Sequence, residues 1–279
     1  MRTINQRKKR MIVKEVLTEK DRNAFFEFPL KLYKGNKYVV PSLISDEKDE
    51  FNPLVNDAYS YAESKMFIAL DEKGKVIGRI AGILNRAYNK KQNVRQLRFS
   101  RFDVIDDFNV TKALFDKIFA WAKELGMDEI VGPIGFSDLD KQGMLIEGFD
   151  QPDMYLTIYN YPYYVKHMEK LGMTKAVDWV EYRITVPEKA DERLLRLAEK
   201  VQQRYGYEYV PIKNYKSVEG TIKTALKHVM NEVFAHLYGV VEITDRQIER
   251  ESKMVKQGGG KKFLKSAPPQ KREKKRERS

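Results

Sequence analysis

Residues 135–164, "GFSDLDKQGMLIEGFDQPDMYLTIYNYPYY", concentrate the side chains of this sequence that could do chemistry: five acids against one lysine, with five tyrosines. They follow neither a helical nor a strand period. Long irregular loops inside compact domains are uncommon and are usually either functional or disordered. Disordered segments are poor in aromatics, whereas this one interleaves Phe136, Met144, Phe149 and the tyrosines with its polar groups. The expectation is an ordered loop lining a cavity. A carboxylate buried among apolar neighbours has its pKa raised and can serve as a base. Glu147 and Asp138 are the candidates, next to Phe136, Met144 and Phe149. Phenol hydroxyls can donate to a developing oxyanion or protonate a leaving group, which suits Tyr159, Tyr163 and Tyr164. Asp140, beside Lys141, reads as an ion pair or turn, and Asn160 with Pro162 as turn formers. Phe136, Asp140, Met144, Asn160, Tyr163 and Tyr164 are the expected substrate contacts, with Glu147, Asp138 and Tyr159 as the catalytic set.

Other constellations carry less. His228, Glu232 and His236 stand at i, i+4 and i+8, spread over about 12 Å of helix axis, too far for one ion. No metal is expected. His167 reads as a surface helix residue, and Trp121, Trp179 and Tyr182 as packing residues. "GPIGF" and "QGGGK" lack the strand-to-helix setting of a phosphate loop. Zero cysteines exclude disulfides, thiolate nucleophiles and Cys-ligated zinc.

The net charge of +12 belongs to the ends. Residues 1–12 carry +5 and residues 253–279 carry +9, leaving the body between them slightly negative. That distribution argues against specific nucleic-acid recognition and for at most weak contact with phosphates or a membrane surface. No run of eighteen apolar residues could span a bilayer, and no apolar stretch follows the basic start. The expected location is cytoplasmic, or peripheral to the inner membrane.

The loop needs elements to hold it. "MIVKEV" reads as a strand; Thr18 with Asp21 opens a helix that turns Phe25 and Phe28 inward until Pro29 bends or ends it. "KMFIALDEKGKVIGRIAGIL" is a hairpin turning near Gly74. "QLRFSRFDVID" is a central strand, setting Leu97, Phe99, Arg101 and Asp103 against Arg98, Ser100, Phe102 and Val104. "NVTKALFDKIFAWAKELGM" is an amphipathic helix closed by Gly126, and "DEIVGPIGF" another strand. "YYVKHMEKLGM" reads as a helix and "VDWVEYRITV" as a strand closed by Pro187. A second plan then begins: helix 191–205, strand "YEYVPI", and helix 221–237, whose apolar stripe could join two copies of the chain. The fold class is α/β (α+β): a mixed sheet flanked by helices. The expected division is a basic extension 1–10, a domain 11–187, the start of a second unit 188–250, and a disordered basic tail 251–279.

The hairpin "GKVIGRIAGI", the strand "RFSRFDVID", the helix "TKALFDKIFAWAKELGM" and the strand "EIVGPIGF" resemble the GNAT superfamily of acyl-CoA-dependent N-acyltransferases. "GPIGFSDLDKQGMLIEGFD", "TIYNYPYY" and "LGMTKAVDWVEY" resemble its bacterial ceramide synthase-like branch, over about residues 11–245. The resemblance implies transfer of an acyl group from acyl-CoA or acetyl-CoA to a small-molecule or lipid amine, a long-chain one in sphingolipid or other lipid metabolism. It also implies a tandem GNAT arrangement, of which this chain holds the first unit and the beginning of the second, as a truncated or divergent member would. GNAT enzymes cradle the CoA diphosphate in a Q/R-x-x-G-x-G/A loop after the central strand. Here "IDDFNV" stands there, with Asp106 and Asp107 set to repel phosphate. The competing expectation is a non-catalytic GNAT-like binding or accessory module whose tails contact a membrane surface or nucleic acid.

Overall fold

The computed structural model describes residues 11–154, 157–189, 191–206 and 215–250. Expectations for residues 1–10, for "YEYVPI" and for residues 251–279 lie outside the described residues. The chain divides into two compact units, residues 1–178 with 234–242, and residues 179–233 with 243–279.

The first unit is built on a five-stranded mixed sheet. Strands β1 (Ile12–Glu15), β2 (Ala62–Leu70), β3 (Val76–Asn85) and β4 (Gln96–Val104) form an antiparallel meander, and β5 (Glu129–Val131) runs parallel to β4. Helix α1 (Glu19–Leu32) and the short α2 (Ile44–Glu50) cover one face, α4 (Phe108–Glu124) the other. Alternate residues of each strand therefore reach different cores. Phe67, Ile80, Leu84, Leu97 and Phe99 pack with Leu114, Phe115, Ile118 and Trp121 of α4, whereas Ile68, Ala81 and Ile83 pack with Phe25, Phe26 and Phe51. Covered on both faces, β4 is buried at all nine positions. Helix α4 comes so close to β3 that a Cβ at Gly82 would stand 2.8 Å from the Trp121 ring.

The local rules hold where short-range chemistry decides. Thr18 caps α1 by accepting from the Asp21 amide. Gly74 turns the β2–β3 hairpin at φ +74°. Gly126 follows α4 at φ +69°.

One strand departs from regular alternation, and the departure makes the site. Arg79 pairs with Asp103 and Ala81 with Ser100, so Arg101 and Phe102 share the place opposite Ile80. This is a β-bulge, with Arg101 at φ 49°. It corrects the expected alternation: beyond the bulge Phe102 and Val104 join Leu97 and Phe99 on the α4 side. Arg101 and Asp103 are thereby moved to the side of α1 and α2, where Arg79 also points.

Other expectations need correction. Of the two outcomes expected at Pro29, a bend or an end, the helix does not end there but continues to Leu32. Having no N–H, Pro29 leaves the Phe25 carbonyl without its helical donor, and Arg79 Nη1 donates to it instead at 3.1 Å. Strand β5 stops at Val131, before a cis Gly132–Pro133 bond, so residues 132–136 are loop. Helices α2 and α3 (Arg86–Gln92) were not expected; each is only seven residues long, below the reach of periodicity.

In the second unit, residues 179–186 form no strand among the described residues, and Trp179 and Tyr182 are 50% and 81% exposed rather than packed. Helix α6 (Glu192–Tyr205) lies within the expected span, capped by Asp191 and ended by Gly206. Helix α7 (Tyr215–His228) gives way to a π-helical turn at Val229–Val233, so the expected helix does not run on to 237. In the first unit, α5 (Tyr163–Lys170) forms as expected.

Candidate functional site

Beyond Phe99 the sheet parts. Pairing of β4 with β5 ends at Arg98–Val131, the Ile134 amide still bonds Phe99 O at 2.9 Å, and the chain then leaves as the loop that returns at α5. Backbone and side-chain bonds hold this loop. Asn85 and Arg98 grip the Phe136 carbonyl at 2.7 and 3.1 Å. The Gly143 amide bonds Pro133 O at 2.8 Å, and Asn160 spans the loop by accepting from the Leu145 amide (2.7 Å) and donating to Leu145 O (3.1 Å).

Between this loop, α1 and the bulged end of β4 lies a cavity of about 280 Å³. Phe26, Leu30, Val39, Val40, Ile44 and Met144 give it an apolar wall; Tyr33, Glu47, Arg79, Arg101, Asp103 and Tyr164 give it a polar floor. Residues 36–42 pass over it and are tied to the loop by three bonds: Val40 N–H to Asp153, Asp153 N–H to Tyr38 O (2.9 Å), and Lys141 Nζ to Ser42 Oγ (2.9 Å).

The floor is a network of buried charge. Arg79 donates to Asp103 (2.8 Å) and Glu47 (3.1 Å), and Arg101 meets Glu47 (3.5 Å) and Glu50. Burial works against the Glu47 charge, but Arg79 and Arg101 outweigh it and hold the carboxyl below its usual range. Two arginines cannot serve every acid here. Burial pushes Glu50 up to about 8 against the pull of Arg101, with Asp140 and Glu47 adding repulsion, and one Glu50 oxygen has no hydrogen-bond partner.

A phenol pair completes the floor. Tyr33 OH donates to Asp103 Oδ1 at 3.0 Å, lies 3.0 Å from Tyr164 OH, and Tyr164 OH accepts from the Val104 amide at 3.0 Å. The donors can thus run in one direction, from the Val104 amide through both phenols to the Asp103 carboxylate. Burial, reinforced by Asp103, holds both phenols well above their ordinary pKa, so each keeps its proton. Such a floor can receive a proton at a carboxylate and offer one from a phenol.

The expected site residues are divided by this geometry. Met144, Tyr159, Asn160 and Tyr164 line the cavity. Tyr159 donates to Phe149 O at 3.1 Å. Tyr163 lies outside the lining and donates to Val104 O at 2.6 Å. Phe136 is buried in the α1–α2 core against Phe51 and Tyr59. Asp140 folds back to accept from the Ser137 amide at 2.9 Å, and burial raises its pKa. Asp138 is half-buried, with its pKa raised by burial, but it is not among the lining residues. Glu147 is exposed and outside the cavity, without the burial a base role there requires.

Tyr33, Glu47, Arg79, Arg101 and Asp103 were not singled out from the sequence. For Arg79, Arg101 and Asp103 a signal was present: charges inside otherwise apolar strands, as in "GRIAGI" and "RFSRFDV", are rarely buried without partners. His167, expected on the surface, is 3% exposed and bonds Thr111 Oγ1 at 2.8 Å.

The β4–α4 turn can be tested against a CoA diphosphate. Asp107 caps α4, its side chain accepting from the Asn109 amide and its carbonyl from those of Val110 and Thr111, while Asp106 projects a largely exposed carboxylate. With the first amides engaged, two carboxylates present and no glycine, the residues do not fit a diphosphate.

No family profile matches the chain. It is 25% identical over 237 residues to Protein YghO of Escherichia coli (strain K12), covering 85% of this chain and 59% of that protein. It is 24% identical over 254 residues to the bacterial ceramide synthase of Caulobacter vibrioides (strain NA1000 / CB15N), covering 87% and 62%. The likeness is to these two bacterial proteins, the second a ceramide synthase. The chain spans about three fifths of the length of the curated relatives it matches. Similar solved structures are an aminoglycoside antibiotic 6'-N-acetyltransferase from Acinetobacter baumannii (10% identity, 64% of this chain and 100% of that one, TM-score 0.38) and glucosamine-6-phosphate N-acetyltransferase from Arabidopsis thaliana (12%, 62% and 98%, TM-score 0.37). No described helix is long and apolar enough to cross a membrane.

Proposed function

We propose that this GNAT-like chain takes part in N-acyl transfer to an amine with an apolar tail, and that the cavity holds the acceptor. The observation carrying this reading is the union of an apolar wall with the Asp103–Tyr33–Tyr164 floor at the bulged end of the central strand. An amine must lose a proton to become an acyl amide, and the oxygen that gains charge must be met by a donor. Asp103 can receive the amine's proton through Tyr33, which passes on its own and stays neutral, leaving Tyr164 to turn its hydroxyl toward the oxygen that gains charge. The alkyl tail would lie against Leu30, Val39, Val40 and Ile44, in keeping with a long-chain amine of lipid metabolism. The likeness to a bacterial ceramide synthase supports the reaction class. Because the β4–α4 turn does not fit a diphosphate, no step is assigned to an acyl carrier there.

The test supplies the purified chain with hexadecylamine and either acetyl-CoA or palmitoyl-CoA and follows amide formation by mass spectrometry. Amide that appears with the native chain and drops by about 10²-fold or more in Tyr33→Phe supports the reading. Thermal protection by the amine with no amide from either donor would instead favour the binding-module alternative.

A further inference from the structure

None of the residues of helix α6 in the second unit is buried. Leu194, Leu197, Val201 and Tyr205 recur at helical spacing and form one stripe, with exposures of 65%, 56%, 37% and 59%. At about 100° per residue, Arg193, Arg196, Lys200 and Arg204 fall together within roughly 80° along one flank of that stripe, while Glu192 and Glu199 fall opposite the stripe, beyond the bases. Arg193 and Arg196 reach Asp191 and Glu192 only at 3.9 and 4.0 Å and in solvent, pairs too weak to cancel the basic flank.

A strong apolar stripe beside clustered bases, in a helix that is polar on average, suits the plane between lipid headgroups and acyl chains. There the stripe meets hydrocarbon and the guanidinium groups meet phosphate. A protein groove would match the stripe but gives no reason for four bases on one flank. Exposed Trp179 and Tyr182 of the same unit are of the amphipathic aromatic type that settles at that depth. We propose that α6 docks the chain on the surface of an anionic lipid bilayer, its stripe in the interface and its basic flank against the headgroups. The inference does not rest on the reading of the cavity.

The test is co-sedimentation of the full chain with vesicles of phosphatidylcholine, with and without a third of phosphatidylglycerol, at low and physiological salt. The basic residues near both ends of the sequence would attract such vesicles by charge alone, a contribution that salt screens. The expected result is binding to the anionic vesicles that partly survives salt, and a fall of about ten-fold or more in that surviving part in Leu194→Gln/Leu197→Gln. Since the stripe is exposed, this variant should keep its helical circular dichroism and its melting temperature. In a second measurement, Leu197→Trp should shift its fluorescence to the blue on addition of anionic vesicles. The proposal is overturned if the chain ignores anionic vesicles, or if salt abolishes all binding and the double variant binds like the native chain. It is equally overturned if the native chain is a dimer in solution that the double variant converts to monomer, which would put a second copy on the stripe.

Discussion

Tyr33 joins the Asp103 carboxylate to the Tyr164 hydroxyl, so removing its oxygen leaves two buried groups without their partner. Tyr33→Phe should cost about 1–3 kcal/mol in urea unfolding, more than an isolated surface hydrogen bond is worth. Tyr164→Phe strips the acceptor from the Val104 amide and should cost a similar amount. Glu50 gives a pH signature. The folded state holds its proton up to about 8, whereas an ordinary glutamate releases it near 4.5. Its contribution to stability is therefore full below the lower value and is lost as pH rises toward the upper one. Urea midpoints should fall between about pH 5 and 8 on this account, and Glu50→Gln should flatten the fall; a slope that persists unchanged would assign it to another group.

At the scale of elements, the bulge in β4 matters most. Arg101 holds a left-handed backbone that disfavours any residue with a Cβ, by roughly 1–2 kcal/mol. Replacement by Ala or Gly removes the same ion pairs, so Arg101→Gly should be more stable than Arg101→Ala by about 1 kcal/mol in paired denaturation curves. Equal stabilities would mean that the left-handed backbone is not kept once the ion pairs are gone, and that the pairs hold the bulge in place. The strap over the cavity makes a second prediction. Asp153→Ala removes the acceptor of the Val40 amide, and hydrogen exchange at Val40 should speed by ten-fold or more while the amides of β3 and β4 keep their protection. The bulge also marks the limit of what the residue pattern could reveal. The strands β1 to β4, the capped α1, the hairpin and α4 were legible because neighbours along the chain decide them. A bulge flips every side chain beyond it, and nothing within "FSRFDV" announces one. The site that depends on it, with Arg101 and Asp103 facing α1, was hidden for that reason. The loop was visible by its tyrosines, but its sequence did not tell cavity-lining residues such as Tyr164 from packing ones such as Phe136.

For the whole molecule, the contrast between the two units sets the expected behaviour. The sheet carries two cores, whereas Tyr182, Ile184 and Val186 are 80% exposed or more and are held in no described strand. Brief trypsin treatment should cut after Arg183 before any site within β2, β3 or β4, which mass spectrometry of the first fragments would check. A strand at 177–186 was expected from its alternation of Val, Trp, Tyr and Ile. Alternation records a residue's readiness to pair, and pairing needs a second strand, which a local pattern cannot supply.

The proline in α1 carries a last consequence. Arg79 is anchored by two acids and by the Phe25 carbonyl that Pro29 leaves open. Carboxylates answer to acid and to salt, but an amide oxygen does not titrate. One tether of the guanidinium is therefore indifferent to solution conditions, and it was supplied by a residue whose ring costs the helix a bond.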